Sequence, residues 1–82
     1  MSKKIIMVKY YALLREEAEC EEEDLATAAE TIMELFVELK KMHKFSLTIE
    51  QLRVAVNGGF VSWEHVITSG DEVVFIPPVA GG

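Results

Sequence analysis

With one cysteine, Cys20, the chain cannot close an internal disulfide, and such a chain suits a reducing compartment. The acids around Cys20 disfavour its thiolate, so it reads as a small apolar residue rather than a nucleophile. Basic residues are few: eight Lys and Arg stand against fourteen Asp and Glu, a net charge of −6. Phosphate backbones repel a surface of that sign, which argues against nucleic acid as a partner. Long hydrophobic runs are lacking, and none approaches the ~20 apolar residues needed to cross a bilayer. The opening MSKKIIMVKYY is interrupted by Lys9 and shows no cleavage pattern, so no signal peptide is expected. The expected location is cytoplasmic, with no membrane partner. Only two histidines occur, His43 and His65, without metal-ligand spacing to each other or to Cys20. Both read as surface residues, and no metal site is expected. Nucleotide-binding glycine loops and nucleophile elbows are missing. The expectation is a chain that binds no cofactor and is not catalytic by itself.

The 82 residues that remain in play make one domain, residues 1–82, with half of them hydrophobic and so enough for a single modest core. Ile5 to Tyr11 is a short β-branched and aromatic run, which predicts a strand covered on both faces. Ala12 to Ala18 is rich in helix formers and predicts a short helix. The stretch EEAECEEED, Glu16 to Asp24, holds half of the acids. It reads as a solvated connection with at most a weak, charge-protected edge strand, or as a docking face for a basic partner. Apolar residues from Leu25 to Met42 recur in steps of three and four, including Ala28, Ile32, Phe36 and Leu39, and predict the main amphipathic helix. Thr27 and Glu30 have capping-box spacing and place the start of regular helix there. Asn57–Gly58–Gly59 joins two apolar segments within Arg53 to Val61, the signature of a hairpin. Trp63 reads as packing. Thr68 to Glu72 is a turn and Val73 to Ile76 a last strand, ended by Pro77 and Pro78. With the two most apolar strands, the first and the last, side by side at the centre, the pattern is α+β: a small mixed sheet with one main helix on one face, a β-grasp or ubiquitin-like arrangement.

Chemistry concentrates at the end of the chain. Residues 77–82, Pro-Pro-Val-Ala-Gly-Gly, carry no charged side chain and extend at most ~20 Å. Pro77 and Pro78 stiffen the root, so less entropy is lost when the tail is bound. Val79 and Ala80 are small, and Gly81 and Gly82 leave bare backbone around which a narrow channel can close. The terminal carboxylate is ionised at neutral pH and unreactive until activated. This pattern suits a carrier whose flexible tail is threaded through other enzymes and whose reactive group is its own C-terminus.

Three segments resemble a known family. YYALLRE (Tyr10 to Glu16), VAVNGGFVSWEHVITSGDEVVFIPP (Val54 to Pro78) and the final VAGG are similar, in order and spacing, to the ubiquitin-like sulfur carriers of the MoaD/ThiS family, in particular the small subunit of molybdopterin synthase. The resemblance implies that a ubiquitin-activating-like adenylyltransferase uses ATP to adenylate the carboxylate of Gly82. It implies conversion to a thiocarboxylate, insertion of the tail into the large synthase subunit, and transfer of sulfur to a pyranopterin precursor held there, within a heterotetramer. It implies that Gly81 and Gly82 are the reactive tip. By position, Tyr11, Phe60 and Ile76 match apolar partner contacts and Arg15 a polar one, with Pro77, Pro78, Val79 and Ala80 as the threaded stalk. The alternative for Tyr11, Phe60 and Ile76 is ordinary core. Other readings of the same tail are a carrier for thiazole or tungsten-pterin synthesis and a protein modifier joined to lysine. A binding module with an inert tail is the remaining alternative.

Overall fold

The computed structural model describes residues 3–78, so the tail expectations for Val79, Ala80, Gly81 and Gly82 lie outside the described residues. Strand β1 (Lys4–Tyr10) leads into helix α1 (Ala12–Ala18), and strand β2 (Glu22–Thr27) follows. The main helix α2 (Ile32–His43) precedes a short 3-10 turn at Ile49–Gln51. Strands β3 (Arg53–Val56), β4 (Gly59–Val61) and β5 (Glu72–Ile76) complete the chain. The sheet order is β2-β1-β5-β3-β4. β1 and β5 run parallel at the centre, with Tyr10 opposite Phe75, and every other pair is antiparallel. This is the β-grasp arrangement expected from the pattern.

The core lies between α2 and one face of the sheet. Ile6, Val8, Tyr10, Val54, Val73 and Phe75 from the strands meet Ile32, Leu35, Phe36 and Leu39 from the helix, all essentially buried. The Phe36 ring stands 5.4 to 6.1 Å from the rings of Phe75, Trp63 and Phe45, which makes it the centre of an aromatic cluster. Trp63 is packing, as its place in this cluster shows. The other face of the sheet has no covering element among the described residues. β1 therefore alternates, with Ile6, Val8 and Tyr10 buried while Ile5 is exposed and Met7 and Lys9 are half-buried. The expectation of a strand covered on both faces is corrected by this alternation.

The start of the main helix is also corrected. Thr27 ends β2 instead of capping a helix, and Leu25 pairs with Ile6 across the sheet. The hydroxyl of Thr27 is buried, accepts from the Ala29 N–H and donates to the Glu38 carboxylate. The true cap is Thr31, whose Oγ1 accepts from the Glu34 N–H, while the Glu34 carboxylate accepts from the Glu30 N–H. Two further donors of the first turn are taken by the loop before β5: Ile32 N–H donates to the His65 carbonyl and Met33 N–H to that of Trp63. Ala28 and Met42, counted in the apolar stripe, are exposed, and Phe45 beyond the helix is buried instead.

The hairpin loop has two residues, not three. Asn57 and Gly58 have φ of 53° and 90°, a type I′ turn matched to the twist of the strands, and Gly59 already belongs to β4. The buried Asp71 carboxylate accepts from the Thr68 N–H and the Asn57 side-chain amide, and the Glu72 N–H donates to Asn57 Oδ1. These bonds lock the hairpin against the entry to β5 and so fix where β5 delivers Pro77.

The acidic stretch divides between elements. Glu16 and Glu17 belong to α1, Glu19 caps it with a left-handed backbone, and Glu22, Glu23 and Asp24 form a genuine edge strand. Glu23 is turned inward, and its carboxylate accepts from the Tyr10 hydroxyl and, at 2.7 Å, from His43 Nε2. His43 is therefore a partly buried packing residue against Tyr10 and Phe45, not a surface histidine. Burial, and then the hydrogen bond to Glu23, raise the Tyr10 phenol above its ordinary value. The unfolded chain consequently surrenders this proton first as pH rises. Stability held below about pH 10 should fall above it, by up to ~1.4 kcal/mol per pH unit from this group. Cys20, raised by burial and the charge of Glu23, and Lys9, raised by its hydrogen bond to Glu72, act in the same direction. Comparison of wild type with Tyr10→Phe by urea unfolding isolates the tyrosine: the variant is less stable near neutrality but loses stability less steeply above about pH 10.

Candidate functional site

β5 positions the root of the tail. Val73 and Phe75 point into the core, so Glu72, Val74 and Ile76 occupy the open face. Pro77 and Pro78 follow at once; neither can donate to a ladder, and the strand stops there. Beside them lies a groove of about 580 Å³ lined by Glu50, Gln51, Leu52, Arg53, Phe60, Ile76, Pro77 and Pro78. Phe60 pairs with Ala55 on β3 and is 67% exposed, a large apolar ring left in water. The Arg53 guanidinium stands over this ring, 6.0 Å from its centre, and keeps the ring on the open face.

Register carries the patch across the sheet. Val74 lies opposite Lys9 on β1 and Ala55 on β3, and Ala55 lies opposite Phe60. Met7 and Ile5 continue it along β1. Lys9 and Glu72 form an ion pair at 3.1 Å on this face, on surface exposed enough that it adds little stability. Tyr11 directly follows Tyr10 in extended backbone, so it turns to the side away from the core and is 49% exposed. Ala12 then takes a left-handed φ of 53°, which swings the chain from β1 into α1. Arg15, exposed on α1, has Glu21 as a distant partner at 4.0 Å.

The structure thus brings Phe60, Ile76, Pro77 and Pro78 together in one groove and sets Tyr11 on the same open face. Phe60 and Tyr11 are not core, which settles that alternative for both. Arg15 stands further along α1 and is not among the groove residues. The sequence reading missed Glu50, Gln51, Leu52 and Arg53 as walls of the groove; the cross-strand alternation of β3 was the signal for Arg53. Among the described residues no cluster of three or more His, Cys, Asp or Glu side chains is arranged to hold a metal ion, and no helix is long and apolar enough to cross a membrane. What this arrangement can do is dock: an apolar face of half-exposed aromatic and aliphatic groups surrounds the point where a stiff segment leaves the sheet.

Comparison with known proteins agrees with this form. The chain is 35% identical over 81 residues to the molybdopterin synthase sulfur carrier subunit of Escherichia coli, covering 95% of this chain and all of that one. Its fold is that of small archaeal modifier protein 1 from Haloferax volcanii, with TM-score 0.79 at 23% identity over 95% of this chain and 99% of that one. It is also shared with a chain in the protein–protein complex of subunits 1 and 2 of the molybdopterin-converting factor from Helicobacter pylori, with TM-score 0.67 at 19% identity over 95% and 99% of the two chains. The model of the ThiS family matches residues 8–82, the hairpin, β5 and the tail included. The chain belongs to the ThiS family.

Proposed function

We propose that this protein is the sulfur carrier subunit of a molybdopterin synthase. The observation that carries the reading is the 35% identity, end to end, with a relative that bears that name. The geometry supports it, because β5 leads directly into Pro77–Pro78 at the rim of an apolar docking face. In this reading a ubiquitin-activating-like partner adenylates the Gly82 carboxylate with ATP, releasing pyrophosphate, and sulfur from a sulfide-level donor then displaces AMP to leave a thiocarboxylate. Gly81 and Gly82 then enter the large synthase subunit, where sulfur passes to a pyranopterin precursor. The protein supplies the sulfur-bearing group, and the large subunit supplies the catalytic pocket. No metal or bound cofactor is required of this chain, and the work takes place in the cytoplasm.

Tyr11, Phe60, Ile76, Pro77 and Pro78 are assigned to the contact with the large subunit, with Arg15 at its margin and Val79 and Ala80 in the threaded stalk. The Helicobacter pylori structure, a complex of subunits 1 and 2, supports a two-subunit assembly of this kind. A heterotetramer of two carriers on a dimer of large subunits is the assembly proposed.

The test is complex formation. Wild-type protein should bind the large subunit from the same cell, measured by calorimetry. Phe60→Asp should weaken that binding by about tenfold or more, because it places a charge where a desolvated ring is needed. Its melting temperature should stay within about 2 °C of wild type, as Phe60 is mostly exposed. Equal affinity for the two proteins would remove Phe60 and the open face from the interface.

A further inference from the structure

The helix side of the molecule carries a second groove, of about 430 Å³, between α2 and the 3-10 turn. Its floor is apolar: Met33, Phe36, Val37 and Ile49. Val37 is 47% exposed on the outward side of α2, where an amphipathic helix ordinarily places a polar residue. Its rim is basic, formed by Lys40 and Lys41, with Glu50 on the opposite wall. Lys40, Lys41 and Lys44 are three of only eight basic residues in a chain of net charge −6. Neither Lys40 nor Lys41 forms an ion pair among the described residues. Half of the acids of this protein lie between Glu16 and Asp24, on α1 and the β2 edge, and of the residues lining this groove only Glu50 is acidic. An apolar floor beneath free ammonium groups is complementary to one kind of surface: an apolar segment flanked by carboxylates.

We infer that this groove is a second docking site, which takes an acidic amphipathic segment of a partner protein. It lies on the helix layer, whereas the proposed synthase contact is on the open face of the sheet. The two grooves adjoin at Glu50, which lines both, and Phe60, Ile76 and the proline pair belong to the other one. The inference rests on the groove's own chemistry and does not depend on what the tail carries.

The test uses the full chain, labelled with nitrogen-15, and two synthetic helical peptides. One has leucines at three- and four-residue spacing among glutamates; the other has lysine in place of each glutamate. The acidic peptide should shift the amide signals of Val37, Lys40, Lys41 and Ile49 in a saturable manner, and added salt should weaken it. The basic peptide should leave those signals in place. Lys40→Glu combined with Lys41→Glu, both on the surface, should weaken binding of the acidic peptide by about tenfold or more. Absence of shifts with the acidic peptide, or equal shifts with both peptides, would overturn the proposal. So would shifts confined to Phe60 and its neighbours. Shifts that follow protein concentration without any peptide would assign the groove to a second copy of this chain, and that too overturns it.

Discussion

Deletion of Gly82 should abolish sulfur transfer and leave the melting temperature nearly unchanged. The chemistry proposed for this protein resides in one backbone carboxyl group. Removing the last residue leaves a carboxyl group behind, on Gly81, but draws it back by about 3.5 Å. Group transfer needs the reacting atoms within about 3.5 Å of each other in the partner's site, so a shortfall of that size removes reaction without removing docking. Addition of one residue past Gly82, protected from cleavage, should fail for the converse reason, because the activated position is then occupied by a peptide bond. Neither change touches the core, whose last member among the described residues is Phe75. Sulfur transfer to the pterin precursor would be measured with purified large subunit, beside thermal unfolding of the carrier. A marked fall in melting temperature on deletion would show that the tail supports the fold, contrary to this account.

Phe36→Ala should cost about 3–5 kcal/mol of stability. Phe36 is 2% exposed and its ring meets Phe45, Trp63 and Phe75. Truncation removes its own contacts and leaves a cavity among three rings that cannot easily close it. A small domain is stable by only about 5–15 kcal/mol, so the loss is a large part of the whole. Denaturant unfolding should show a lower midpoint with an unchanged slope. A change below about 1 kcal/mol would mean that α2 does not press this face on the sheet.

The parts of the fold that could be read from sequence are those fixed by local chemistry. β1 and β5 are short and β-branched, Asn57–Gly58 tolerates positive φ, and Pro77 ends a strand wherever it falls. The errors arose where local signals compete. Thr27 and Glu30 have the spacing of a cap, yet Thr31 and Glu34 have it too, and the pairing of Leu25 with Ile6 decides between them. Long-range pairing also decides the fate of Glu23. An acid within a run of acids looks solvated, but Tyr10 and His43 provide donors that draw it inward. At the site, Tyr11, Phe60 and Ile76 were identified through family likeness, because apolar residues on strands ordinarily read as core. The exposure of Tyr11 and Phe60, and the partial exposure of Ile76, follow from the sheet having only one covered face among the described residues. The role of Arg53 arises from its diagonal position to Phe60, which exists only once β3 and β4 are paired.

The central claim is that the working group is the terminal carboxyl of Gly82. Its most direct test is intact and fragment mass spectrometry after incubation with the activating enzyme, ATP and a sulfur donor. The account predicts a species heavier by the replacement of one oxygen with one sulfur, with the added mass confined to the C-terminal glycine. An unchanged mass, a lysine-linked adduct, or sulfur found on Cys20 would contradict it.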